Sequence, residues 1–450
     1  MTAARVAAVK VLAAVERGRT TLAAEIDRAR PGIASGRDRS LFLEIVAGTL
    51  RWQNQLDALL AQCSNRPIAD LDATVRAIVR IGAYQLRHLD RVPVHAVVHE
   101  SVELARGLGH TRAGGFVNAV LRTLWRQRSK LTLPPRPEHG AGRGEAVAYL
   151  SQTLSHPEWL VSRWLDRHPL DDVERWCRFN NGPPDVTVRP VGPLQPGELR
   201  SALRAADVAA MPALFVRDAI RLPPGAYTRL PARLRALVVI QEEASQIVAH
   251  AAGARPGERV LDVCAAPGGK TVLLAAAMRA EGLLVAGDVR PGRVRLLAAT
   301  LARAQVNAPV VQLDGLGPLP FDAVFDRVLV DVPCSGLGTL RRDPDLKWSR
   351  QPGDLPRFAA AELQILTNAS RTVRPGGVLV YATCSSEPQE NDGVADRFLE
   401  SHPDFAPEAI SPGPEIAGGS RLVDARGRLR TLPFRDDLDA FFAAAFRRKQ

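Results

Sequence analysis

Cysteine is scarce in this 450-residue chain, which has only Cys63, Cys177, Cys264, Cys334 and Cys384. An odd, dispersed set without close pairs argues against a disulfide framework or a zinc cluster, so no metal is expected. Reduced thiols in the cytosol fit better. Long apolar runs are also missing. No stretch approaches the roughly 20 residues that cross a bilayer, so no membrane association is expected. The Ala- and Val-rich start is interrupted by Arg5, Lys10, Glu16 and Arg17 and has no separate apolar core with a cleavage site. It reads as an amphipathic helix of a cytoplasmic protein rather than a signal peptide. Lysine is the third shortage, with Lys10, Lys130, Lys270, Lys347 and Lys449 against a large majority of arginine. Lysine is a compact, adjustable point charge and arginine a permanently charged fork. The few lysines inside distinctive strings, Lys270 and Lys347, are therefore candidates for specific roles.

Two nucleotide-binding patterns fail. The string Cys264-Ala265-Ala266-Pro267-Gly268-Gly269-Lys270-Thr271 ends like a nucleoside-triphosphate loop, but its first glycine is replaced by Cys264. Only Gly268-Gly269 are present, so a dinucleotide fingerprint is absent as well. What remains is a strand ending in Asp262, a tight turn, and a helix N-terminus with free backbone N–H groups. Asp288 follows about 20 residues later, where an acid can bind ribose hydroxyls. Asp314 closes the next strand and can accept from an adenine amine. An acid after a strand also commonly caps the following helix; three in register favour a cofactor.

Charge and periodicity divide the chain. Net charge is +11, and residues 1–130 hold 20 Lys+Arg against 11 Asp+Glu, whereas the rest is nearly balanced. A localised basic surface suits nucleic acid, although a solvated helical face has the same composition. Helical spacing of Leu41, Ile45, Val46 and Leu50, and of Val75, Ile78, Val79 and Leu86, predicts an all-α domain of six or seven helices over 1–130. A Pro/Gly-rich linker is expected over 131–150, then a small α+β unit over 151–240. From 241 to 450 strands alternate with helices, which implies a doubly wound parallel sheet with ligands at the strand C-termini.

Two short strings carry the remaining chemistry. Asp331-Val332-Pro333-Cys334-Ser335-Gly336 ends the fourth predicted strand, and Tyr381-Ala382-Thr383-Cys384-Ser385 ends the fifth. Adjacent strand ends lie about 5 Å apart, so both thiols can face one base. Buried cysteines are common small hydrophobes, the reading that suits Cys63 and Cys177. Two thiols and an acid beside a nucleotide-type turn suit methylation of cytosine at C5, because a thiolate can attack C6. The residues alone do not choose between the thiols.

Taken together, the PGGK, DVPCSG and ATCS strings resemble the RsmB (Sun/Fmu) type of bacterial 16S ribosomal RNA cytosine-C5 methyltransferase, in the NOL/NOP/Sun family. The likeness spans nearly the whole length. Arg80-Ile81-Gly82-Ala83-Tyr84-Gln85-Leu86, Arg91-Val92-Pro93 and Gly115-Phe116-Val117-Asn118 resemble the RNA-binding NusB fold. His156-Pro157, Asn180-Asn181, Gln241-Glu242-Glu243-Ala244-Ser245 and Asp343-Pro344-Asp345-Leu346-Lys347-Trp348 also match. The resemblance implies a NusB-like bundle, a small α+β unit and a Rossmann-like class I methyltransferase domain. It implies S-adenosylmethionine held by Cys264, Ala265, Ala266, Pro267, Gly268, Gly269 and Lys270, with Asp288 at the ribose, Asp314 at the adenine, and Asp331 between cofactor and base. It makes Cys384 the nucleophile and Cys334 the group assisting C5 proton loss and release, with Lys270 a candidate source of positive potential. DNA cytosine methyltransferases attack instead from a Pro-Cys cysteine. The implied partner is RNA, 16S ribosomal RNA or a small-subunit assembly intermediate, and the implied state a monomer. Transfer RNA as substrate, and a non-catalytic RNA-binding assembly or antitermination scaffold, are the alternatives. The sequence departs from the family pattern at Glu242 (usually Asp), at Arg189-Pro190 (usually Arg-x-Asn) and at Ala440 (usually Gly), so RNA contacts at the last two are not carried over.

Overall fold

The structure is a computed structural model that describes all residues except Met1, Arg19, His139, Ala141, Gly192 and Pro193. Two compact units emerge, Met1–Gly182 with Leu340–Gln351, and Pro183–Thr339 with Pro352–Gln450.

The first unit begins with seven α-helices, Ala3–Glu16, Leu22–Ala29, Gly36–Arg51, Gln53–Ala61, Ala73–His88, Val94–Gly107 and Gly114–Arg126. Their apolar stripes bury Phe42, Ile45, Ile78, Ile81, Leu104 and Leu121 in one core. Helices pack closely where glycine allows: a Cβ on Gly48 would sit 2.0 Å from the Tyr84 ring. The expected linker over 131–150 needs correction. Its Pro/Gly composition stops at Gly144, and Arg143–Ala148 is helical, followed by a π turn over Tyr149–Thr153 that buries Tyr149 and Leu150. His139 and Ala141 of that stretch lie outside the described residues. Helices Glu158–Leu165 and Leu170–Asn181, read from sequence with the middle unit, belong to this first unit, where Trp164 and Trp176 stack at 4.3 Å.

Leu340–Gln351 also belongs here. Its Lys347 is 1% exposed, and its ammonium donates to Arg51 O, Ser155 O and Asn181 Oδ1 at 3.3, 3.3 and 2.7 Å. Trp348 Nε1 donates to Leu50 O at 2.8 Å. Buried His156 and Asn180 meet beside this group at 3.2 Å. Strings far apart in the chain thus converge on one buried polar knot.

The second unit holds two sheets. Strands β1 (Val186–Pro190), β2 (Met211–Pro212), β3 (Ile220–Leu222) and β4 (Val238–Ile240) form an antiparallel sheet in the order β2-β3-β1-β4. Helix Pro196–Ala205 covers it through Leu199 and Leu203. The larger sheet has, among the described residues, β5 (Arg259–Asp262), β6 (Leu283–Asp288), β7 (Val310–Gln312), β8 (Phe325–Asp331), β9 (Val373–Thr383), β10 (Phe405–Glu408), β11 (Leu429–Arg430) and β12 (Phe442–Arg448). The order is β10-β12-β9-β8-β5-β6-β7, with β11 on β12. The segment β5 to β9 is parallel, as the alternating pattern predicts; β10, β11 and β12 add an antiparallel edge that the pattern does not reveal. From β5 the chain winds outward through β6 and β7, then returns to β8 on the other side. The switch point therefore lies between β5 and β8, where ligands of such sheets bind. No helix among the described residues is long and apolar enough to cross a membrane.

Candidate active site

The loops after β5, β6, β7, β8 and β9 leave the C-terminal edge of the large sheet around that switch point. After β5 the chain turns through Cys264 to Gly268 into helix Gly269–Ala277. Gly268 has φ +106°, a left-handed conformation that an L side chain rarely adopts, and a Cβ there would press on Leu297 and Thr300. The turn is fastened to β6 by Ala265 N donating to Gly287 O at 2.8 Å.

The acids at the strand ends differ in state. Asp262 is fully buried; its Oδ2 accepts from Thr271 Oγ1 at 2.7 Å, and its Oδ1 has no partner among the described residues. Burial lifts its pKa to about 7. Asp288, also buried, accepts from Ala266 N at 3.3 Å and from Arg293 Nε at 3.0 Å. Asp314 is exposed at the mouth, where its Oδ1 accepts from Leu316 N at 3.0 Å. The unpartnered buried oxygen of Asp262 and two further acids at the neighbouring strand ends fit the polar groups of S-adenosylmethionine. Burial pushes the Cys264 thiol well up, so it is a neutral wall of the turn and no nucleophile.

Lys270 and Asp331 join the first loop to the second. Lys270 Nζ donates to Asp331 Oδ2 at 2.6 Å, with the two side chains 12% and 24% exposed. Burial pulls the Lys270 pKa down, but Asp331, then Cys384 and Asp262, more than offset this and hold it above the ordinary value. Register brings the cysteines together. β8 and β9 pair in parallel with Asp331 opposite Ala382, and Val332 N extends the ladder to Ala382 O. Cys334 and Cys384 thus leave the sheet side by side, with their Sγ atoms 3.2 Å apart and both half-buried. The contact with Cys384, then burial, raises the Cys334 pKa far above that of a free thiol. Cys334 therefore holds its proton tightly in the resting pair. Gly338 N donates to Cys384 O at 2.9 Å, and Ala440 N donates to Gly338 O at 3.0 Å.

Of the predicted site residues, Cys334, Cys384, Asp331 and Lys270 converge, and the Cys264–Gly269 turn with Asp288 and Asp314 lines the neighbouring strand ends. Sequence reasoning overlooked Arg293, whose guanidinium holds Asp288, and the carboxylate of Glu390, which binds Ser335 and Ser385. The position of Arg293 in the first turn of helix Pro291–Arg303, directly after the acid that ends β6, was the available signal for the first. The three departures find local explanations. Glu242 caps helix Glu243–Ala251 by accepting from Ser245 N at 2.9 Å, as a shorter acid also does. Arg189 is buried and bonds Gln241 Oε1 and Gly269 O, which supports the cofactor turn. Ala440 is buried and holds Gly338.

Known proteins share this arrangement. Residues 250–447 match the family described as 16S rRNA methyltransferase RsmB/F, residues 2–126 the NusB family, and residues 156–226 the ferredoxin-like domain of RsmF/B-like methyltransferases. Ribosomal RNA small subunit methyltransferase B of Serratia proteamaculans is 34% identical over 91% of this chain and 90% of its own. Its counterpart in Pseudomonas putida is 35% identical over 90% and 92%. The crystal structure of PH0851 superposes with a TM-score of 0.80 over 100% of this chain and 99% of its own, at 22% identity, a likeness of fold. A methyltransferase homologue from Pyrococcus horikoshii covers 68% of this chain and all of its own, with TM-score 0.56 and 26% identity. With near full-length relatives above 30% identity and all three of its parts matched, the chain belongs to the RsmB/F family of 16S ribosomal RNA methyltransferases.

Proposed function

We propose that the protein methylates C5 of a cytosine in 16S ribosomal RNA with Cys384 as the nucleophile and Cys334 as the assisting thiol. The observation that carries this reading is the 3.2 Å approach of the two sulfurs beside the Lys270–Asp331 pair. S-adenosylmethionine supplies an electrophilic methyl group when held by Cys264 to Lys270, Asp288 and Asp314. The target cytosine must leave its stack to reach the loops. Cys384 thiolate then adds to C6, forming a C–S bond and moving electron density onto N3 and C5. Asp331 accepts from the exocyclic N4 amine, and Lys270 balances the charge that grows on the ring. Addition also changes Cys334. The largest cause of its raised pKa is the hydrogen bond with Cys384, which weakens once that sulfur is a thioether. Once C5 has taken the methyl group, Cys334 can release its proton to water and accept the C5 proton, after which the C6–S bond breaks and returns the Cys384 thiolate.

The excess positive charge in residues 1–130 supports contact with the RNA backbone by the NusB-type domain. The working unit in this reading is a monomer; sedimentation with and without RNA checks it. The decisive experiment is bisulfite sequencing of 16S ribosomal RNA from a deletion strain, before and after complementation. One cytosine that loses protection and regains it supports the reading. Unchanged ribosomal RNA with a lost transfer RNA signal moves the substrate.

A further inference from the structure

The two cysteine loops share an anchor that the reaction scheme leaves unused. Glu390 lies in the turn after Cys384, just before helix Asp392–Ser401, and is fully buried. Its Oε1 accepts from Ser335 N at 2.7 Å; its Oε2 accepts from Ser335 Oγ at 2.6 Å and from Ser385 Oγ at 2.5 Å. Ser335 directly follows Cys334, and Ser385 directly follows Cys384. The two hydroxyl oxygens are 3.2 Å apart, the same spacing as the two sulfurs. One carboxylate therefore binds the residue after each thiol.

The surroundings fix this carboxylate in turn. Tyr381 OH donates to the Glu390 carbonyl oxygen at 2.5 Å and lies 3.1 Å from Glu362 Oε2. Burial first, and Glu390 second, push the Glu362 pKa up to about 11, so Glu362 carries a proton beside the anion. Three hydrogen bonds converging on one side chain suit an acceptor-rich group such as this carboxyl, with Ser335 N the one partner that can only donate.

We propose that Glu390 is a positioning residue that sets the distance between Cys334 and Cys384, keeping the thiol of the release step against the sulfur of the addition step. The proposal rests on the two-cysteine reading above, but its test does not require methyl transfer. Diamide oxidises two adjacent thiols to a disulfide and is itself reduced to the hydrazine, taking up both hydrogens. The rate of Cys334–Cys384 cross-linking, read by mass spectrometry of the joined peptides and followed across pH so that variants are compared on their thiolate plateau, reports sulfur proximity. In Glu390→Ala, with three hydrogen bonds to a charged group removed, that rate falls about tenfold or more. S-adenosylmethionine affinity stays within about twofold, because the cofactor turn is not touched. With 16S ribosomal RNA, kcat falls roughly 10- to 100-fold at unchanged KM, and the covalent RNA adduct accumulates on denaturing gels. Glu390→Gln keeps an acceptor for Ser335 N and lets both hydroxyls rotate toward the amide, so it recovers cross-linking to within about threefold of wild type. Wild-type cross-linking in Glu390→Ala overturns the proposal. If that variant fails to bind S-adenosylmethionine, Glu390→Asp, which withdraws the carboxylate by one methylene, decides: slowed cross-linking upholds the clamp and wild-type cross-linking rejects it. Loss of the two-cysteine chemistry itself would appear separately, as an active Cys384→Ala enzyme.

Discussion

Lys270 donates its ammonium to Asp331 across 2.6 Å, linking the helix after β5 to the end of β8. Breaking a mostly buried pair strands its partner's charge. In Lys270→Met the carboxylate of Asp331 loses its counter-charge and the bound ring loses its nearest cation. Turnover should fall by about 100-fold, a typical cost for a transition-state charge stabiliser. Single-turnover methylation with tritiated donor measures it, and a variant within threefold of wild type would remove Lys270 from the chemistry.

The two thiols should fail differently. Cys384→Ala has no sulfur to add to C6 and gives no methylation. Cys334→Ala still adds but releases poorly, leaving RNA attached to Cys384 on a denaturing gel. A fully active Cys384→Ala enzyme would falsify the assignment, and adducts mapped to Cys334 would exchange the roles.

Lys347 gives the first unit a pH dependence. Burial lowers its pKa to about 7 in the folded chain, against roughly 10.4 in an unfolded one. Between these values the unfolded chain binds more protons than the folded chain, so stability rises with pH across that window. Below the folded value the full cost of burying the ammonium is present, at most about 5 kcal/mol for this shift. The unfolding free energy of wild type minus that of Lys347→Met should therefore increase from pH 7 to pH 10. Urea melts at pH 6.5, 8 and 9.5 test it, and a flat difference contradicts a buried titrating lysine.

Gly338 has no room for a side chain. A Cβ there would sit 2.0 Å from Ala440 O and 2.7 Å from Cys384 O, both backbone atoms that cannot swing away. Gly338→Ala should cost about 1–3 kcal/mol and displace the Cys384 loop. Thermal unfolding and adduct formation should both suffer, whereas Gly353→Ala, with open space around it, should change neither.

Much of the site is legible because each parallel strand is a short apolar run closed by an acid or a thiol. Asp262, Asp288 and Asp331 mark three strand ends within a residue of their true places. Strand β12 is not legible, because Phe442-Ala443-Ala444-Ala445-Phe446 shows no alternation when both faces are covered. In helix Leu355–Ser370, Pro356 occupies the first turn, where its missing N–H costs nothing, so a residue that usually signals a break lies inside the element. Glu390 is invisible for another reason. In Pro388-Gln389-Glu390-Asn391 it looks like a solvated turn acid, and only tertiary structure delivers its three donors. The scarcity of lysine did single out Lys347, but its partners lie 166 to 296 residues away and no spacing rule reaches them.

The first unit takes Leu340–Gln351 as part of itself, and this sets an order for its biogenesis. While the chain is being synthesised, Arg51, Ser155 and Asn181 leave the ribosome long before Lys347, the donor they share. Leu50 likewise waits for the indole of Trp348. The N-terminal helices can collapse early, but their last buried cation and tryptophan arrive only after β8 has been made. A nascent chain stalled before residue 340 should therefore be more sensitive to protease in its N-terminal helices than one stalled beyond residue 351.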